Sequence, residues 1–158
     1  MFDGCDMIAN LNCLPDMPAL GSIKIKRAFV ADKEIILRFV EEHFQKNWVY
    51  ECEKALLSSD VSKCFIATEY GKVLGFACYD STAKGFFGPI GVDETRRGEK
   101  IGQALLIRTL AAMHEYGYAY GIIGWVGDAE VFYRKTVGAE FIKGGEPEKS
   151  EYKNMVMM

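Results

Sequence analysis

The sequence predicts a single α/β domain, one mixed sheet with helices on both faces. Three observations carry that prediction. A length of 158 residues corresponds to one domain with one core. Runs of period two and runs of period 3.6 alternate along the chain in the order β-α-α-β-β-β-α-β-α-β-β. A glycine-containing strand also passes through a short basic loop directly into a long helix. Hydrophobic residues make up 49% of the chain and charged residues 26%, a balance that lets a chain of this size bury a core without metals or disulfides. The net charge of −3 argues against a non-specific nucleic-acid coat or an anionic membrane surface as partner. No apolar run reaches the roughly 20 residues that span a bilayer.

Residues 22–30 read as a strand, with Ile23 and Ile25 alternating against Lys24 and Lys26. Asp32 is placed to cap a helix whose apolar face holds Ile36, Phe39 and Val40. A second helix starts near Asn47, where Trp48, Val49, Cys52, Ala55 and Leu56 recur at helical spacing, and Ser58, Ser59 and Asp60 end it. Residues 63–69 and 73–79 are β-rich runs around Gly71-Lys72, a hairpin signal. Residues 86–92 form a strand interrupted by Gly88, Pro89 and Gly91. Pro cannot donate to a sheet ladder and Gly tolerates a bulge, so this strand is expected to kink and part from a neighbour. From Ile101 the period becomes helical, and Gly117 stops the helix. A strand over 118–126, a short helix capped by Asp128 and closed by Gly138, and strands over 139–143 and 152–158 complete the domain.

Residues 1–21 read as a short extension packed on the domain of residues 22–158. In it Met7, Ile8, Leu11 and Leu14 form one amphipathic turn, ended by Pro15 and Pro18. Its acids Asp3, Asp6 and Asp16, with no base before Lys24, fit neither a signal nor a transit peptide. The five cysteines are odd in number and lack Cys-x-x-Cys spacing, and the two histidines are far apart. This points to reduced thiols in a cytoplasmic protein, with no metal site.

The richest segment is Val92-Asp-Glu-Thr-Arg-Arg97-Gly98-Glu99-Lys100-Ile101-Gly102-Gln103-Ala-Leu-Leu106. Free amides at a helix N-terminus, beside glycines and cations, form an anion site suited to a phosphate or pyrophosphate. Neither Gly-x-Gly-x-x-Gly nor the Walker pattern is present. Arg97-Gly-Glu-Lys-Ile-Gly102 resembles the acetyl-CoA pyrophosphate loop of the GNAT superfamily of N-acetyltransferases, written Gln/Arg-x-x-Gly-x-Gly/Ala after a strand and opening a helix. Ala129-Glu-Val-Phe-Tyr133-Arg-Lys-Thr-Val-Gly138-Ala-Glu-Phe141 is similar to that family's Ala-x-x-x-Tyr-x-x-x-Gly-Phe segment. Lys100 stands where the family has its first glycine, Glu94 where it often has Pro, and Val126 where it often has Asn.

The resemblance implies the acyl-CoA N-acyltransferase fold, a mostly antiparallel central sheet flanked by helices. It also implies acetyl-CoA as co-substrate, without a metal. Ile90, Gly91, Val92, Arg97, Gly98, Glu99, Lys100, Ile101, Gly102 and Gln103 are its implied cofactor contacts, and Tyr133 is the implied general acid for the departing thiolate. Trp125 is expected on the acceptor side. The aromatic residues Phe44, Trp48 and Tyr50 lie between the first two helices, where the family places its acceptor groove. The implied reaction is direct acetyl transfer to a primary amine of a small molecule or a protein. The alternative is a non-catalytic acetyl-CoA-binding sensor or partner module. No nucleic-acid or membrane partner is expected, and a homodimer would supply groove residues that one chain lacks. No acid lies within 86–92 or 118–126 to serve as base. Asp93, Glu94, Glu69 and Asp80 are the nearest candidates.

Overall fold

The computed structural model describes residues 4–156. Seven strands and four helices follow one another: β1 (Met7–Asn10), β2 (Lys24–Arg27), α1 (Lys33–His43), α2 (Lys46–Leu56), β3 (Cys64–Glu69), β4 (Lys72–Tyr79), β5 (Phe86–Val92), α3 (Ile101–Tyr116), β6 (Tyr120–Ile123), α4 (Glu130–Val137) and β7 (Glu140–Phe141). The sheet order is β2-β3-β4-β5-β6-β1-β7. Every neighbouring pair is antiparallel except β5–β6, which runs parallel. This is the mixed sheet the sequence predicts, and the mostly antiparallel one the resemblance implies.

The strands face two cores, because successive side chains point to opposite faces. Phe65, Ala67, Ala77 and Tyr79 pack with Leu105, Leu106, Leu110 and Met113 of α3. Cys64, Ile66, Phe76 and Cys78 pack with Ile36, Val40, Cys52 and Leu56 of α1 and α2. The two helical layers therefore lie on opposite sides of β3 and β4. The β3–β4 hairpin turns at Tyr70-Gly71, both with positive φ, one residue earlier than the sequence reading placed it.

Both chain ends depart from expectation. Residues 7–10 form no amphipathic turn and the segment is no mere extension: β1 lies inside the sheet, pairing Met7 with Ile123 on one side and with Phe141 on the other. Met7 and Ala9 are fully buried. The amphipathic signal has a simple origin, since β1 leads straight into a 3-10 turn at Leu11–Cys13. The final strand is also absent. Glu151–Asn154 is a 3-10 turn started by Ser150, whose hydroxyl accepts from the Tyr152 amide. Part of that expected strand, residues 157–158, and residues 1–3 of the extension lie outside the described residues.

Asp6, 6% exposed, ties the two ends together. Its Oδ1 accepts from the Trp125 amide and from the Ser150 hydroxyl, both at 2.9 Å. Its own amide donates to the Gly145 carbonyl at 2.9 Å. Removing a buried acceptor strands its donors, at about 1–3 kcal/mol each. Asp6→Ala is therefore expected to lower unfolding stability by roughly 2–6 kcal/mol in urea titrations, an estimate that sums those two lost bonds. An unchanged midpoint would contradict this.

Candidate active site

The β5–β6 pairing is brief. Only Phe86–Ile122 and Phe87–Ile123 are in register, and beyond them the two strands separate. On its other edge β5 stays paired with β4 as far as Val92, with an irregularity between Ala77 and Tyr79. Gly88 and Pro89 open the split on one side, as the sequence predicts, with Gly88 at φ +117°. Across it, Trp125 is held at φ +53°. A cavity of about 840 Å³ fills the gap. Its wall draws on both layers: Trp48 and Glu51 of α2 on one side, Gly102 of α3 and Tyr133 of α4 on the other.

Of the implied cofactor contacts, Ile90, Gly91, Val92, Arg97, Gly98, Lys100, Ile101, Gly102 and Gln103 all border this cavity. Glu99 does not. Its carboxylate is held by Arg96, whose guanidinium also bonds Glu69 at 2.9 Å. Those two acids satisfy Arg96, whereas Arg97 and Lys100 make no ion pair among the described residues. Lys100 occupies the N-cap position of α3 at φ +66°, and no side chain caps that helix. The first-turn amides thus open toward the cavity, with the positive end of the helix dipole behind them. A lysine in the left-handed region carries strain that glycine would not. Gly91 is needed for a different reason, since a Cβ there would overlap the Phe44 ring. Phe44 packs on Trp48 and Phe76 and belongs to the core, and Tyr50 is exposed.

Tyr133 is 6% exposed, borders the cavity, and packs edge-on to Phe87 at 6.3 Å. Burial first, and then the nearby Tyr152, push its phenol well above the ordinary range, so it stays protonated. Trp125 borders the cavity and stacks on Tyr152 with ring centroids 6.3 Å apart. The close approach expected beside Trp125 is present: a Cβ on Gly124 would overlap the Tyr152 ring.

The acids considered as bases are engaged elsewhere. Asp80 binds Lys63 and the Tyr118 hydroxyl. Glu69 binds Ser22 and Arg96. Asp93 caps the turn at Thr95, and Glu94 is exposed. None borders the cavity, but Glu51, passed over in the sequence, does. Three cysteines that spacing alone leaves scattered also meet: the thiols of Cys52, Cys64 and Cys78 lie within 4.8 Å of one another, fully buried between α2 and the sheet and away from the cavity.

The sheet split, the uncapped helix and the cavity between them define an acyl-CoA acyltransferase architecture. Residues 30–138 match the model of the acetyltransferase (GNAT) family, and the chain belongs to that family. Similar solved structures include a GCN5-related N-acetyltransferase from Sphaerobacter thermophilus, at TM-score 0.72 and 22% identity over 89% of this chain and 49% of that one. Another is the Escherichia coli GNAT family N-acetyltransferase YhbS in complex with CoA, at TM-score 0.52 and 21% identity over 66% of this chain and 62% of that one. A third is the glucosamine N-acetyltransferase region of a fungal multi-domain β-N-acetylglucosaminidase, at TM-score 0.70 and 15% identity over 88% of this chain and 20% of that one. The chain thus spans less than two thirds of each of these chains. No curated protein sequence matches it. No helix among the described residues is long and apolar enough to cross a membrane.

The backbone strain at Lys100 is testable without any ligand. Lys100→Gly is expected to raise stability by about 0.5–1 kcal/mol, the left-handed penalty less glycine's extra chain entropy. Chemical denaturation checks this, and a destabilised variant would contradict it.

Proposed function

We propose that the chain is an acetyl-CoA-dependent N-acetyltransferase that moves the acetyl group directly to a primary amine within a ternary complex. The observation that carries this reading is the single cavity joining the uncapped N-terminus of α3 to the split between β5 and β6. The α3 amides, with Arg97 and Lys100, suit a pyrophosphate. Beyond Phe87, β5 has no partner on its β6 edge, so its backbone groups are free to bond an amide-containing arm and a thioester carbonyl.

In this reading the cavity walls hold thioester and amine together, which makes attack a local event. Tyr133 donates its phenolic proton to the departing thiolate, a role its protonated state fits. A free-standing sensor would need the same cofactor cradle but no acid beside the split.

Two substitutions separate binding from chemistry. A Cβ at Gly102 meets only Val92 and Phe132, at 3.6 and 3.7 Å, so a side chain fits the fold there while projecting toward the cradle. Gly102→Glu is expected to weaken acetyl-CoA binding about 100-fold in calorimetric titration, because it brings negative charge to a pyrophosphate site. Equal affinity would sink the loop assignment. Tyr133→Phe is expected to lower kcat about 10²-fold with acetyl-CoA affinity unchanged. An unaltered rate across the pH profile would remove Tyr133 from the mechanism.

A further inference from the structure

Among the described residues, Glu51 is the one carboxylate on the cavity wall. It sits on α2, across the sheet from the layer that holds α3. Its Oε1 accepts from the Thr82 hydroxyl, and Thr82 Oγ1 in turn accepts from the Tyr152 hydroxyl at 3.2 Å. Among the described residues its Oε2 makes no hydrogen bond or ion pair. Lys54, the cation one turn further along α2, is engaged by the Ser81 carbonyl at 3.0 Å. Lys54 also draws on Glu51 through its charge, but at no ion-pair distance. Glu51 is therefore a half-buried, oriented carboxylate without an ion-pair partner among the described residues, an arrangement that is costly unless something positive completes it.

Around it that side of the wall carries the apolar and aromatic Trp48, Trp125, Tyr152 and Met155 and the neutral polar Gln45, Asn47 and Thr82. The wall's two cations, Arg97 and Lys100, belong to the β5–α3 loop instead. The acceptor side of the lining thus offers one negative charge, no cation, flat aromatic surface and a few neutral polar groups. We infer that Glu51, oriented through Thr82 and Tyr152, binds and deprotonates the acceptor's ammonium group, and that the acceptor is a primary monoamine with an apolar or aromatic body. This rests on the acetyltransferase reading above. An amino acid would bring a carboxylate with no cation to meet it, and a diamine would bring a second ammonium with no second acid.

The step balances. Glu51 takes one proton from the ammonium, and the neutral nitrogen attacks the thioester carbon. The C–N bond forms, the C–S bond breaks, and the thiolate takes the Tyr133 proton. The nitrogen's second proton restores Tyr133, and the proton on Glu51 passes to solvent. Desolvation holds the Glu51 carboxyl above its ordinary range, against smaller opposing effects of the Thr82 hydrogen bond and the Lys54 charge, which makes it a better proton acceptor.

Three matched probes test this: 2-phenylethylamine, L-phenylalanine, which adds a carboxylate, and putrescine, which replaces the ring with a second ammonium. Each is assayed for CoA release with the wild-type chain and with Glu51→Gln, and acetyl-CoA affinity is titrated in both. The inference expects 2-phenylethylamine to exceed the other two at least about tenfold in kcat/KM, the size of a single mispaired charge in a dry site. It expects Glu51→Gln to lower kcat/KM for 2-phenylethylamine about 100-fold, through both kcat and KM, with acetyl-CoA affinity unchanged. Equal or better use of L-phenylalanine or putrescine, turnover of none of the three, or an undiminished Glu51→Gln variant would overturn it and leave the cofactor reading standing. Failure of the wild-type chain to bind acetyl-CoA would overturn the acetyltransferase reading itself. The retained acetyl-CoA affinity of Glu51→Gln shows that the variant is folded.

Discussion

The parting of β5 from β6 is the constraint on which everything else depends. Two parallel strands in register would bury their backbone groups against each other and close the sheet. Here the ladder holds for two residue pairs and then ends, because Pro89 has no amide to donate and Gly88 turns the chain. Each remaining feature exploits that gap. The α3 helix begins beside one face of it, and α2 presents Glu51 from the other. A strand that kept its partner would leave no cavity for these residues to share.

The gap has to be stabilised, and the N-terminal strand does much of that. Because β1 sits between β6 and β7, it fixes the free flank of β6 immediately beside the split. Asp6 then gathers the start of the Trp125 segment and the Ser150 turn onto one carboxylate. Ser150 starts the turn that carries Tyr152, and Tyr152 reaches Thr82 and hence Glu51. A short strand far from the cavity in sequence thereby sets the aromatic wall and, through it, the orientation of the acid.

What was legible in the sequence follows from locality. The helix at α3, the basic loop before it and the weak point at Gly88-Pro89 are local signals, since periodicity and the chemistry of proline act within a few residues. Lys100 stood out only through the family resemblance, as a side chain where that family has glycine, and the structure places it in left-handed backbone. By contrast, β1 has four residues and draws its stability from partners more than a hundred positions away, so its own pattern resembled a helical turn. The Tyr152 segment was misread as a strand for the same reason: its apolar residues serve a cavity wall rather than a ladder. Glu51 lies on an amphipathic helix between exposed Tyr50 and buried Cys52, where a carboxylate reads as ordinary solvated surface. Only the fold brings Thr82 and Tyr152 to it.

Amide hydrogen exchange with and without acetyl-CoA tests the central claim most directly, because that claim is about backbone groups left open by the split. Binding is predicted to slow exchange at residues 90–92 of β5 and 97–103 of the loop and α3, with little change in β2 and β3 on the far side of the sheet. Binding that leaves those amides unprotected would show that acetyl-CoA lies elsewhere and would contradict the account.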